Sequence, residues 1–352
     1  MPDAPAVAPA SPVRFGLLGY GFGGRIFHAP LIASADSSEL LGVVTSSPER
    51  RATVEREHPG TATYGSLREL ADAGVEAVAI STPADTHSAL TDEALRLGLA
   101  VVCDKPFSTE PAAARSTAAL AEERGLALSP YQNRRWDSDF RTVAALARDG
   151  SLGTITRLES RFERYAPGSG PGVAGGGTLL DFGAHLVDQA LLLLGPVVAV
   201  HAELRLRDSG LDDDVFVALH HEGGARSHLW GGWQQFAPGP RFRVTGTAGT
   251  LVVDHGDTQE DRLVAGDTPA SRGDAWGTEP ADTHATLWTA DGPRPVPLER
   301  GRWDAFYPAF AAAVRGTGAV PVDARDAVAT AVVLQAARES AASGETRRVA
   351  AT

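Results

Sequence analysis

The 352-residue sequence contains one cysteine, Cys103. A single thiol cannot close an internal disulfide or build a cysteine-based zinc site, and the pair Asp181 and His185 is too small a set for another metal, so no metal centre is expected. Lysine is equally scarce. Among 32 Lys and Arg residues Lys105 is the only lysine, so every other cationic side chain of this class is arginine. Long hydrophobic runs are missing too: none approaches the roughly 20 residues that a membrane helix needs. The best stretch, Leu186 to Leu194, is broken by Asp188 and Gln189. Positive charge is outnumbered, and a net charge of -12 argues against nucleic acid as a partner, because a phosphate backbone would be repelled. Residues 1–12 lack the basic start and apolar stretch of a signal peptide and read as a flexible leader, which favours a cytoplasmic protein with no membrane partner. What remains is a globular composition, 43% hydrophobic and 22% charged, long enough for two domains.

The first half alternates apolar strands and helices. Val13 to Leu18 is followed by Gly19-Tyr20-Gly21-Phe22-Gly23-Gly24 and then a helix-compatible stretch. In a strand, G-x-G-x-x-G, helix unit, Gly19 permits the tight turn, Gly21 lets the backbone approach a pyrophosphate, and Gly24 lets helix and strand pack closely. Strands at 40–44, 77–80 and 100–103 and helices at 48–58 and 86–97 complete a parallel, doubly wound pattern. The second strand ends without the acidic residue that would bind the ribose 2′-hydroxyl of NAD. Thr45-Ser46-Ser47-Pro48-Glu49-Arg50-Arg51 offers hydroxyls and guanidinium groups instead, so Ser46, Ser47, Arg50 and Arg51 favour NADP over NAD. On another reading the serines cap the next helix and the arginines are solvated.

Lys105 stands in Cys103-Asp104-Lys105-Pro106-Phe107, just past the carboxyl end of a parallel strand, the edge where such sheets bind ligands. A composition that avoids lysine elsewhere points to a position where arginine, always charged and forked, would fail. A second group lies in a strongly apolar helix after Gly175-Gly176-Gly177, with Thr178 as its expected cap and Gly195 at its end. There Asp181, His185 and Asp188 or Gln189 share one face. A buried histidine behind an acid one turn earlier reads as a general acid/base oriented by that carboxylate. Cys103 reads as a small apolar strand residue.

The set GYGFGGRIFHAPLI, STPADTHSAL, CDKPF, YQNRRWDSDF and LLDFGAHLVDQ resembles the glucose-fructose oxidoreductase/inositol dehydrogenase/MocA family, especially its NADP-dependent scyllo-inositol dehydrogenase branch. The resemblance implies an α/β chain: an N-terminal Rossmann domain with a doubly wound parallel sheet (13–132) after the leader (1–12), and a C-terminal α/β domain (133–352). The second domain would carry an open, mainly antiparallel sheet that forms a homodimer or homotetramer. It also implies a hydride transfer between nicotinamide and a secondary alcohol or ketone of a sugar or inositol-like polyol. Lys105, Asp181 and His185 would be catalytic, His185 taking the proton and Lys105 polarising the oxygen. Phe22, Ser81, Thr82, Pro83, His87 and Asp104 would join the glycines at the cofactor, and Arg134, Trp136 and Tyr165 would line the substrate pocket. Two positions depart from the family pattern. Asp104 replaces the glutamate of the E-K-P motif, and the loop Pro167 to Gly177 lacks the Trp-Arg that relatives carry.

In the second half, strands are expected at 155–165, 197–207, 214–222, 226–235 and 241–254, and helices near 303–315 and 323–343. Arg157, Glu159, Arg161 and Glu163 alternate with Leu158, Ser160 and Phe162, which gives the first of these strands one charged face. A reductase of another carbonyl or nucleotide sugar, and a non-catalytic NADP-sensing regulator, remain as alternatives.

Overall fold

The computed structural model describes residues 11–168, 170, 172 and 176–349. Almost all of the expected leader and positions 169, 171 and 173–175 of the 167–177 loop, including Gly175, lie outside the described residues.

Six parallel strands, β1 (Val13–Leu18), β2 (Ser38–Val44), β3 (Ala62–Tyr64), β4 (Ala77–Ile80), β5 (Ala100–Cys103) and β6 (Leu128–Pro130), form a sheet of order β3-β2-β1-β4-β5-β6. Every residue of β4 and β5 is buried, as a parallel strand covered on both faces must be, and this is why these strands read as unbroken apolar runs. Helices Pro48–Glu57, Leu67–Asp72, His87–Arg96 and Pro111–Arg124 supply the crossovers. The strand order reverses between β1 and β4, which opens a crevice at their carboxyl ends.

The second sheet has nine strands: β7 (Ile155–Glu163), β8 (Val197–Leu206), β9 (Asp212–His221), β10 (Arg226–Gly232), β11 (Phe242–Gly246), β12 (Thr250–Val253), β13 (His284–Thr289), β14 (Gly292–Pro297) and β15 (Arg347–Arg348). Their order is β14-β13-β12-β11-β7-β10-β9-β8-β15, and among the described strands of this sheet β7 and β10 form the one parallel pair. The α/β reading with a mainly antiparallel second sheet therefore matches the architecture. One expected strand, 241–254, is instead a hairpin of β11 and β12, in which Phe242 pairs with Val253 and Thr245 with Thr250. Alternation continues through both arms, so periodicity could not reveal the reversal at Gly246 to Gly249.

The helix Thr178–Leu194 crosses one face of this sheet, its Leu179, Leu186 and Val187 joining Leu158, Val215 and Leu229 in one core. Thr178 does not cap it. Thr178 is already helical, and Asp212 of β9 accepts the Leu179 N–H at 2.5 Å. The long helix Ala324–Ser343 ties the sheets together, packing Ala327, Val328 and Ala331 on the first core and Val333, Leu334 and Ala337 on the second. Phe306, Tyr307 and Phe310 also return to the first sheet, with Phe15 and Tyr307 in edge contact at 5.3 Å. Among the described residues no helix is long and apolar enough to cross a membrane.

Candidate active site

A cavity of ≈ 870 Å³ runs from the crevice of the first sheet to the helix Thr178–Leu194. At one end lie Gly19, Gly21, Phe22, Gly23, Arg50, Ser81, Thr82 and Pro83; at the other, Lys105, Arg134, Asp181 and His185. Gly19 has φ 92°, a backbone region that favours glycine. A Cβ at Gly24 would collide with the Gly19 carbonyl, so Gly24 serves close packing of turn and helix. Gly21 differs: a Cβ there would meet no atom of the described residues within 4 Å. Among the described residues no packing requires glycine at 21, whereas close approach of a pyrophosphate does. The residues present therefore fit a dinucleotide.

Of the cofactor candidates after β2, Arg50 lines the cavity, and among the described residues its guanidinium has no partner. Ser47 is spent as a helix cap, accepting the Arg50 N–H at 3.2 Å, and Arg51 donates to the Thr45 carbonyl at 3.2 Å. Ser46 is exposed at the strand end, outside the cavity lining.

Lys105 follows β5, and its ammonium pairs with the Asp181 carboxylate, joining the two sheets' elements across the cavity. Asp104 accepts the Lys105 backbone N–H at 2.8 Å and the Ser81 hydroxyl at 2.8 Å, while the buried His28 imidazole stands 3.3 Å away. Burial opposes a charge on Asp104, but His28, Lys105 and His87 hold its carboxyl well below the usual carboxylate range. The shorter acid in place of the family's glutamate thus remains a charged anchor for the lysine backbone.

His185 is 5% exposed. Its Nδ1 lies 3.2 Å from Gln132 Oε1, and the Gln132 amide orients itself by donating from Nε2 to the Ala184 carbonyl at 3.3 Å. Oε1 can only accept, so Nδ1 carries the proton and Nε2 keeps a lone pair. Burial, then the positive charges of Lys105, Arg134, Arg241 and Arg164, push the imidazole well below its ordinary value, leaving it neutral. The expected Asp181 to His185 orientation is corrected here. One helical turn puts the two on one face, but Asp181 is engaged by Lys105, and Gln132 orients the histidine.

Arg134 also lines the cavity, pairing with Glu260, which in turn takes both terminal nitrogens of Arg164 at 3.1 Å. Burial opposes the Glu260 charge, yet these two arginines hold the carboxyl down to about 2. Trp136 and Tyr165 are not in the lining. Trp136 shares a 3-10 turn (Asn133–Trp136) with Arg134, where residues two apart diverge, and its ring lies on Phe306 at 5.6 Å. Tyr165 follows Phe162 and Arg164, which face the cavity, so the alternation of extended chain turns it outward to stack on Phe236 at 3.6 Å. His87 touches the cavity, but both ring nitrogens are taken by carbonyls of the chain itself. Sequence reasoning missed Gln132, Glu260, Arg164 and Trp233. Of these only Gln132 carried a signal, since it follows the carboxyl end of β6.

Residues 13–132 match the model of the oxidoreductase family with an NAD-binding Rossmann fold, and 140–252 match the GFO/IDH/MocA C-terminal domain. The chain belongs to the GFO/IDH/MocA oxidoreductases. Its relatives in that family include scyllo-inositol 2-dehydrogenase (NADP(+)) IolW of Bacillus subtilis, 32% identical over 93% of each chain. The oxidoreductase YdgJ of Escherichia coli is 35% identical over 94% of this chain and 96% of its own. A solved structure from Klebsiella pneumoniae superposes with TM-score 0.88 at 32% identity, covering 97% of this chain and 96% of that one. The fold and the NAD-binding unit are thus those of the GFO/IDH/MocA oxidoreductases, as the sequence motifs implied.

Proposed function

We propose that the protein moves a hydride between NADP and a secondary alcohol or ketone on a cyclitol or sugar. The observation that carries this reading is one cavity that joins the glycine loop to a neutral imidazole and a paired ammonium. Gly19, Gly21 and Phe22 would hold the pyrophosphate, and Arg50 a 2′-phosphate, for which a free guanidinium is better suited than for a hydroxyl. When bound, the nicotinamide accepts or supplies the hydride. His185 Nε2 takes the hydroxyl proton during oxidation and returns it during reduction. Lys105 holds the same oxygen and stabilises its developing negative charge, and Asp181 aims the ammonium. Arg134, Arg164 and Glu260 form the polar wall that faces the remaining hydroxyls. The IolW relative, whose name states NADP and scyllo-inositol, supports the choice of cofactor and substrate class.

We further propose residues 13–132 as the cofactor unit and 133–352 as the substrate and assembly unit. The outer face of the second sheet would mediate a homodimer or homotetramer, with Phe216 and Trp230 half-buried there and 5.3 Å apart.

A panel of polyols and ketoses, each with NADP and with NAD, tests the activity. Turnover of an inositol or sugar with NADP preferred is expected, and no turnover of any member would overturn the reading. Lys105→Arg keeps the charge but not its compact shape, and loss of turnover by roughly a hundredfold is expected, on the scale of a lost transition-state donor.

A further inference from the structure

His87 is 1% exposed at the first position of the helix His87–Arg96. Its Nδ1 lies 2.8 Å from the Pro106 carbonyl and its Nε2 2.8 Å from the Thr82 carbonyl. A carbonyl oxygen only accepts hydrogen bonds, so each nitrogen must donate, and a neutral ring has one proton to give. The neutral form would set a lone pair against a carbonyl lone pair at hydrogen-bond distance. We propose that His87 is an imidazolium clamp, a positioning residue that fastens the 81–83 loop after β4 to the 104–106 loop after β5 and so fixes Lys105 for catalysis.

Two effects oppose the charge, burial and the helix N-terminus, which disfavours a cation. Among the described residues the titratable groups acting on the ring are Cys103, the last residue of β5, and Asp104, which follows it. Burial lowers the imidazole, but the Cys103 sulfur, the Asp104 carboxylate and the Pro106 carbonyl outweigh it and push the group up to about 9. Both clamped loops line the cavity, through Ser81, Thr82 and Pro83 on one side and Asp104, Lys105 and Pro106 on the other. Deprotonation would release one carbonyl and free the loops to separate. Because the folded value lies above the ordinary one, the stability that the clamp contributes is full below about pH 6.5, and the clamp itself is lost as pH rises through about 9.

The role at Lys105 rests on the proposed function, so the test has one arm independent of substrate. Nitrogen-15 NMR of the histidine rings in the full chain, without ligand, should show His87 doubly protonated at about pH 8, where an ordinary histidine of about 6.5 is neutral. A neutral His87 ring under those conditions overturns the clamp whatever the substrate. In the activity arm, His87→Gln can serve one carbonyl only. It should lower kcat roughly tenfold, the scale of one charge-assisted hydrogen bond. It should change the cofactor KM less and remove the decline of activity near pH 9. A His87→Gln enzyme with the parent's kcat and alkaline limb refutes the positioning role.

Discussion

Replacing Gln132 by leucine removes the acceptor that keeps the proton of His185 on Nδ1. The ring is 5% exposed, so water cannot take over, and an unpaired buried N–H costs about 1–3 kcal/mol. The neutral imidazole can escape part of that cost by moving its proton to Nε2, the nitrogen that should receive the substrate proton. The productive tautomer then falls by about 5- to 140-fold, since each 1.4 kcal/mol is tenfold, and kcat/KM for oxidation should fall with it. Gln132→Glu tests the same contact with the opposite sign. A carboxylate at that distance favours imidazolium and should raise the His185 value. The parent enzyme, whose His185 is held well below 6.5, should keep oxidation activity into mildly acidic solution, and the glutamate variant should lose it at higher pH. Stability carries the matching sign. Below about pH 6.5 the unfolded chain binds a proton that folded His185 refuses, so the parent loses stability as pH falls. The assay is kcat/KM against pH for all three proteins, with thermal melting as the control. A leucine variant with the parent's kcat/KM and pH profile would refute the tautomer argument.

Gly21→Ala and Gly24→Ala should separate binding from folding: the first places its Cβ where no atom of the described residues lies and should weaken cofactor binding in a fluorescence titration without lowering the melting temperature. The second drives its Cβ into the Gly19 carbonyl and should lower the melting temperature outright. Asp181→Asn breaks the ion pair with Lys105 at a partly exposed site, so its stability cost should stay within about 1 kcal/mol in denaturant melts while kcat drops far more. Arg50→Glu should raise the Kd for NADP at least roughly tenfold and leave that for NAD nearly unchanged, as expected for loss of a guanidinium-phosphate contact. Equal effects on both cofactors would remove Arg50 from the 2′-phosphate site.

The pattern of apolar runs and glycines determined four strands of the first sheet, β1, β2, β4 and β5, but not the short β3 and β6 at its edges. A parallel strand covered on both faces has to be continuously hydrophobic, and the turn after β1 has to be glycine where φ is positive or a carbonyl comes close. The lone lysine at a strand end and the polar face of an apolar helix likewise marked Lys105, Asp181 and His185 from local spacing alone. Spacing says which side chains share a face, not which of them find each other. Tertiary structure decided that Asp181 turns to Lys105, that Gln132 from the end of β6 orients His185, and that Glu260 couples Arg134 to Arg164. Each of those contacts closes a long stretch of chain. Their partners are fixed by how the two sheets dock through the helices Thr178–Leu194 and Ala324–Ser343, and no local period records that docking.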